Sequence, residues 1–310
     1  MKVNNGEAIC PYCGFDKNYK QATPYLPLGT KLKNGNYIIG KKVSSNAEGA
    51  KYISYSKDIQ IPVIIEEFMP IVMISRAGSQ TCIWVKQGFE KKYKTLQREF
   101  IHYYYTLPEI LNVFNENNTS YVVTKIYDSV SLREYLKEHG NLDWNAAKSL
   151  FMPLISDIKF LHKKKIGHYA ISPDNVIITN NGKIKLSNFA IEEMRKAGGF
   201  LDSELIDGFA APEQYEKFTD LDESTDVYGL SATLLYALAG ITLKNANERH
   251  ANENINFPQW LLEKIPSNVI IAISKGLALK KSDRIQTFGE LCTYFDAYKT
   301  TSFKYPLSTT

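Results

Sequence analysis

The stretch His168-Tyr169-Ala170-Ile171-Ser172-Pro173-Asp174-Asn175, followed twelve residues later by Ser187-Asn188-Phe189-Ala190, decides how the chain is read. Between the two segments lie Val176-Ile177-Ile178 and Lys183-Ile184-Lys185-Leu186, short β-branched runs split by Asn180-Asn181-Gly182. That pattern predicts two strands joined by a tight turn, with a polar loop before and after them.

Upstream of the loop, Leu132–His139 and Asn145–Lys164 read as helices. Leu150, Leu154, Ile158 and Leu161 form one apolar stripe on the second. Further upstream the periodicity changes. Tyr37-Ile38-Ile39, Lys51–Tyr55, Val63-Ile64-Ile65, Leu111–Phe114 and Tyr121–Ile126 are strand-like runs, and Asn115–Asn118 is a hairpin signal. One helix, Phe89–Tyr105, interrupts them, with Phe89, Tyr93, Leu96 and Phe100 on one face. Downstream, helices are expected from Asp226 to Tyr298. The uncharged run Val227–Leu243 reads as a buried core helix rather than a membrane span. The expected order is a five-stranded antiparallel sheet with one helix, then a mostly helical half: an α+β chain. The expected divisions are an arm at 1–29, a first lobe at 30–127, a second lobe at 128–298 and a polar tail at 299–310.

This order and these motifs resemble the two-lobed fold of bacterial serine/threonine protein kinases over residues 30–298. His168–Asn175 resembles the catalytic loop, and Ser187–Ala190 stands where the family keeps its metal-binding Asp-Phe-Gly. Gly208-Phe209-Ala210-Ala211-Pro212-Glu213 resembles the end of an activation segment. Asp226-Val227-Tyr228-Gly229-Leu230 resembles the start of the central helix of the C-lobe. Arg284 lies where kinases keep the Arg that pairs with the Ala-Pro-Glu carboxylate. Each motif alone is weak. Together, in the right order and at plausible separations, they are specific.

The chemistry departs from the family at each reacting position. Phosphoryl transfer needs positioning and charge neutralisation. Ala170 stands at the base position, where loss of a general base removes about 10²–10⁴ in rate. Ser172 replaces a catalytic-loop Lys, and Asn188 replaces the metal Asp with a poorer Mg²⁺ ligand. Glu66 replaces the third-strand Lys and reverses the charge facing a triphosphate. The loop Ser44–Gly49 keeps one of three glycines, Gly49, and adds the acid Glu48. The scaffold positions that the resemblance implies are present: His168 and Phe189 for an aromatic stack, with Leu111 and Tyr103 continuing it, and Glu213, Asp226 and Arg284. The implied nucleotide-pocket positions are Gly49, Lys51, Glu66, Glu99, Thr124 and Asn175. Glu99 aligns with the helix Glu that normally pairs with the missing Lys, so two carboxylates are expected to meet, with Lys51 pairing Glu66 or Glu99.

The expectation is therefore a pseudokinase: a kinase-like domain without phosphotransfer, acting as a protein-interaction or scaffold module with an unnamed protein partner. Mg and ATP are not expected. Alternatives are a weak or atypical ATP-using phosphoryl or nucleotidyl transferase, and a metal-independent nucleotide-binding switch. Only Ser203 offers a hydroxyl between Phe189 and Gly208, and Tyr169 replaces the Arg that would receive its phosphate, so activation by loop phosphorylation is not expected.

Composition agrees with a globular chain. Of 310 residues, 44% are hydrophobic and 23% charged, and the net charge of +4 is too small to argue for nucleic acid. Lys91–Lys94 and Lys163–Lys165 read as solvated helix faces, with a site for an acidic partner as the alternative. Met1–Glu7 is polar, so no secretory leader is expected. Cys10 and Cys13, as Cys-Pro-Tyr-Cys-Gly, form half a zinc site. It needs two more ligands, from elsewhere or from a second chain, or else it is a reduced arm. Cys82 and Cys292 read as buried hydrophobes. Four cysteines without a disulfide framework suggest a cytoplasmic setting.

Overall fold

The structure, a computed structural model, describes residues 19–78, 80–249 and 255–296. Two compact units make up the chain, Met1–Ile126 and Tyr127–Thr310. Cys10, Cys13 and the tail 299–310 lie outside the described residues.

The first unit is built on an antiparallel sheet of β1 (Lys31–Leu32), β2 (Tyr37–Ser45), β3 (Gly49–Ser56), β4 (Ile61–Phe68), β7 (Ile110–Glu116) and β8 (Thr119–Lys125), in the order β1-β2-β3-β4-β8-β7. It has six strands where five were expected. The added β1 is two residues long, too short to carry a period-2 signal, and pairs with β2 as Lys31↔Ile38 and Leu32↔Tyr37. Between β4 and the helix α1 (Glu90–Thr106) lies a small hairpin of β5 (Ile74–Ser75) and β6 (Trp84–Val85), which the sequence pattern did not reveal. Tyr93, Leu96, Phe100, Tyr103 and Tyr104 are the buried residues of α1, and Phe68 at the end of β4 packs on Tyr93 and Phe100 at centroid distances of 5.4 and 5.1 Å. The β7–β8 hairpin turns at Asn117 and Asn118, both with positive φ (54° and 62°). This is the backbone a two-residue hairpin loop requires and asparagine tolerates.

The second unit begins with β9 (Ser129–Ser131), which joins β10 (Val176–Thr179) and β11 (Ile184–Leu186) in a three-stranded sheet. Ser131 also caps α2 (Leu132–His139) through a reciprocal bond pair with Glu134. Next comes α3 (Trp144–Lys163), capped by Asp143, with Ala147, Phe151, Leu154, Ile158 and Leu161 buried. The core helix α4 (Glu223–Ala239) is buried on nearly every side from Ser224 to Leu238, as its uncharged sequence predicts, and ends at Gly240 in the left-handed region. The helices α5 (Gln259–Lys264), α6 (Ser267–Gly276) and α7 (Phe288–Asp296) complete the unit around one apolar core.

Candidate functional site

The positions to which the resemblance assigns chemistry are divided between the two units. In the first, strand parity does the sorting. β3 and β4 pair with Lys51 opposite Glu66, and a period of two puts the adjacent Glu66 and Glu67 on opposite faces of the sheet. Glu66 is buried, and Lys51 Nζ lies 3.4 Å from its Oε2. The cation anticipated on β3 is thus paired with the acid on β4. Thr124, on β8, sits opposite Ile64 and is half-buried.

Glu99 occupies the exposed side of α1, one residue off the buried stripe that ends in Phe100 and Tyr103. The second acid in the surroundings of Glu66 is instead Glu48, fully buried, whose Oε1 accepts from the Tyr104 hydroxyl at 3.4 Å. Burial first, then the charges of Glu66 and Glu48, push the Tyr104 hydroxyl well above its ordinary range and keep it a donor. Gly49 is required by packing. A Cβ there would lie 1.9 Å from the Glu67 carbonyl oxygen, so its retention reflects strand approach. Leu111, expected inside an aromatic stack, is exposed, because it is the extra residue of a bulge between Ile110↔Thr124 and Asn112↔Val123. Tyr103 is buried, edge-on to Tyr104 at 5.4 Å.

On the other sheet face Glu67 is fully buried and is the centre of a network that sequence reasoning missed. Tyr52 and Tyr121 each donate their hydroxyl to it at 2.9 Å, and Arg76, also buried, meets it through both terminal nitrogens. Arg76 goes on to donate to the carbonyls of Pro24 at 2.8 Å and Thr81 at 3.0 Å. One carboxylate therefore ties together the arm, the sheet and the β5–β6 insertion.

In the second unit the scaffold positions converge as the resemblance implies. Asp226, at the start of α4, accepts from the amides of His168 (2.8 Å) and Tyr169 (2.6 Å) and from His162 Nε2 (2.8 Å). Burial disfavours the charged form of His162, but the Asp226 hydrogen bond and charge outweigh it and hold the pKa above the usual 6.5. Tyr169 is in the left-handed region (φ 54°), a costly place for a bulky residue. Besides Asp226, its carbonyl accepts from Gln214 at 2.8 Å, and its hydroxyl donates to the Leu221 carbonyl at 3.2 Å. His168 is buried, bonded to the Ser187 carbonyl at 2.8 Å, and edge-on to Phe189 at 4.9 Å.

Glu213 and Arg284 form a buried two-pronged pair at 2.7 and 2.9 Å, and Thr225 donates to Glu213 at 2.8 Å. Burial pulls the Glu213 carboxyl upward, but the Arg284 guanidinium overrides it and holds the pKa below the usual range.

At the reacting positions, Ala170 and Ser172 are buried. Asn175 is also buried, and its side-chain amide donates to the Ala170 carbonyl at 2.9 Å. The one carboxylate within His168–Asn175, Asp174, is gripped by Arg133 at 2.6 and 2.8 Å. Asn188, with φ 55°, presents its backbone carbonyl to Arg195. Arg195 is fully buried, and a charged partner, Glu204, lies 3.5 Å away. Sequence reasoning passed over this pair. Its two members are nine residues apart in an irregular segment, where no periodicity connects them.

Among the described residues no group of three or more His, Cys, Asp or Glu is arranged to hold a metal ion. None of the described helices is long and apolar enough to cross a membrane. Cys82 and Cys292 are free and half-buried, less enclosed than expected. Lys91, Lys94 and Lys163–Lys165 are exposed, while Tyr93 among them faces the core.

A six-stranded antiparallel unit followed by a helical unit, with Asp226 under the His168 loop and Glu213 on Arg284, defines a protein kinase fold. The protein kinase domain model matches residues 91–302, and the chain belongs to that family. It is 27% identical over 263 residues to serine/threonine-protein kinase D of Synechocystis sp., covering 80% of this chain and 49% of that protein. To serine/threonine-protein kinase PknK of Mycobacterium tuberculosis it is 30% identical over 185 residues, 55% of this chain and 16% of that protein. The chain thus spans less than half the length of either relative. Among solved structures, the apo form of PpkA-294 superposes with a TM-score of 0.67 at 23% identity, covering 88% of this chain and 99% of that one. The M. tuberculosis PknI kinase domain gives 0.58 at 16%, covering 87% and 98%. Both likenesses concern the fold.

Proposed function

We propose that this kinase-family domain does not transfer phosphate and works as a protein-interaction or scaffold module, a pseudokinase of bacterial type. The observation that carries this is Ala170. The base position holds a methyl group inside a loop whose scaffold bonds to Asp226 are intact. The other polar groups that flank it in the loop are already engaged. Asp174 is neutralised by Arg133, and the Asn175 amide is occupied by the Ala170 carbonyl. Asn188 offers a neutral amide in place of the metal-binding carboxylate, so Mg²⁺ and ATP are not part of the proposed activity. Zinc at Cys10 and Cys13, completed by ligands from elsewhere, belongs to the same proposal for the arm, as does a cytoplasmic setting with a protein partner.

A second reading rests on Lys51. Its pairing with Glu66 at 3.4 Å puts an ammonium beside the acid that replaced the third-strand Lys. That favours a residual phosphoryl or nucleotidyl transferase, or a nucleotide-binding switch without metal. The relatives bearing the names of serine/threonine kinases lend this reading support. A thermal-shift titration of the full chain with ATP, with and without Mg²⁺, run beside a radiolabel transfer assay, separates the readings. No shift and no transfer is expected. A Mg²⁺-dependent shift with transfer overturns the proposal, and a shift without transfer favours the switch.

A further inference from the structure

The hairpin loop between β2 and β3 is where the resemblance places the phosphate-covering loop, and here it is already filled. A loop binds phosphate when several of its backbone N–H groups point at the anion with no competing acceptor. In Asn46-Ala47-Glu48-Gly49 three of the four amides, those of Asn46, Glu48 and Gly49, have other partners. Glu48 N and Gly49 N both donate to the side-chain oxygen of Asn46, at 3.1 and 2.9 Å. Asn46 N donates to the Gly49 carbonyl at 2.9 Å, and the Glu48 carbonyl accepts from Met69 N at 2.9 Å, which fastens the loop to the end of β4. The Glu48 side chain turns inward and is fully buried, with its carboxylate on the Tyr104 hydroxyl. Glu66 acts on the same hydroxyl, and Lys51 is the cation it pairs with.

We infer that Asn46 and Glu48 form a built-in latch. The Asn46 carboxamide oxygen occupies two of the amides that would hold a phosphate, those of Glu48 and Gly49, and the Glu48 carboxylate places a negative charge beneath the loop. This specifies how the site rejects polyphosphate, and so it rests on the proposal that nucleotide use has been lost. The latch is also distinct from the substitutions at Ala170, Asn188 and Glu66. It would keep phosphate out even if the catalytic residues were restored.

The test uses the full chain, with inorganic pyrophosphate and ATP in the absence of metal as probes and thermal shift with ³¹P line broadening as readouts. The variants are Asn46→Gly/Glu48→Gly and the conservative Glu48→Gln, each checked for native circular dichroism. The wild type is expected to bind neither probe. The double variant is expected to gain pyrophosphate binding by about tenfold per freed amide donor, the worth of a charge-assisted hydrogen bond. Glu48→Gln should gain less, since its Asn46 cap remains. Amide exchange at Glu48 and Gly49 should quicken by about tenfold or more in Asn46→Ala, which supports the cap independently of any ligand.

If neither the wild type nor a folded double variant binds pyrophosphate, the latch is overturned and the loss of phosphotransfer still stands. If the wild type transfers radiolabel while the double variant nevertheless gains affinity, the functional proposal falls and the latch survives. Wild-type binding as tight as that of the variant overturns both.

Discussion

Replacing Arg76 by Met should loosen the first unit far more than the loss of one surface charge would. Arg76 and Glu67 have fully buried side chains, so neither has water to fall back on. In Arg76→Met the Glu67 carboxylate keeps the hydroxyls of Tyr52 and Tyr121 but loses the guanidinium that balances its charge, while the Pro24 and Thr81 carbonyls lose their donor. Removing one member of a buried pair typically costs about 3–5 kcal/mol. At about 1.4 kcal/mol per decade, the low end of that range speeds local amide exchange by roughly a hundredfold or more. Hydrogen exchange read by mass spectrometry over peptides covering 19–29, β3, β4, β8 and the β5–β6 insertion resolves it, because those segments meet at the node. Glu67→Leu/Arg76→Met removes both charges together. It should cost clearly less than the sum of the single changes, by about 2 kcal/mol or more. An Arg76→Met protein whose exchange in these peptides stays within threefold of wild type would refute the claim that this pair holds the arm and insertion to the sheet. So would additive single and double variants.

Other outcomes follow from the same geometry. Glu213→Gln leaves the buried Arg284 guanidinium without a countercharge and should destabilise the second unit by about 3–5 kcal/mol, read by urea denaturation. Because Glu213 is held below its usual value of 4.5, its contribution is present above that pH and is lost as the pH falls through the depressed value. The thermal midpoint should drop on acidification, and Glu213→Gln should blunt that drop. His162 has the opposite sign. Its pKa is raised above 6.5, so the stability from its pair with Asp226 is full below pH 6.5 and fades as pH rises through the raised value. A His162→Gln protein should lose that dependence in thermal-shift scans. Glu204→Ala removes the carboxylate beside the buried Arg195, which keeps its bond to the Asn188 carbonyl, and limited proteolysis should then cut faster between 196 and 207. Unchanged digestion would show that the Arg195–Glu204 pair does not order the segment.

The second unit was legible in the sequence because its determinants are local. The His168 loop, the Asn180–Gly182 turn, the capped helix after Ser131 and the uncharged run of α4 each announce themselves within a few residues. The Glu213–Arg284 pair is 71 residues apart, yet it was found because both ends carry motifs. The first unit hid more. Arg76 in a polar insertion looks like a surface residue, and nothing nearby in sequence predicts that Glu67, Tyr52 and Tyr121 converge on it. One signal was available. Two consecutive glutamates in a strand must point to opposite faces, so when Glu66 is assigned to one face, Glu67 needs a partner on the other.

The same parity changes what the altered chemistry means. A kinase that had merely decayed would be expected to lose charges where they are no longer used and to leave the exposed positions random. Here the acid on each face of β4 has a partner, Lys51 on one side and Arg76 on the other. Glu48 has a donor in Tyr104, and Asn46 satisfies two loop amides that would otherwise be open. Burying Glu48 and Glu66 together is unfavourable unless such partners are supplied. Their joint presence points to a first unit stabilised around its own side chains, as the proposed loss of nucleotide use requires. If the proposed loss of phosphotransfer holds, these groups need no nucleotide to satisfy them, and the proposed role falls to surfaces offered to other proteins.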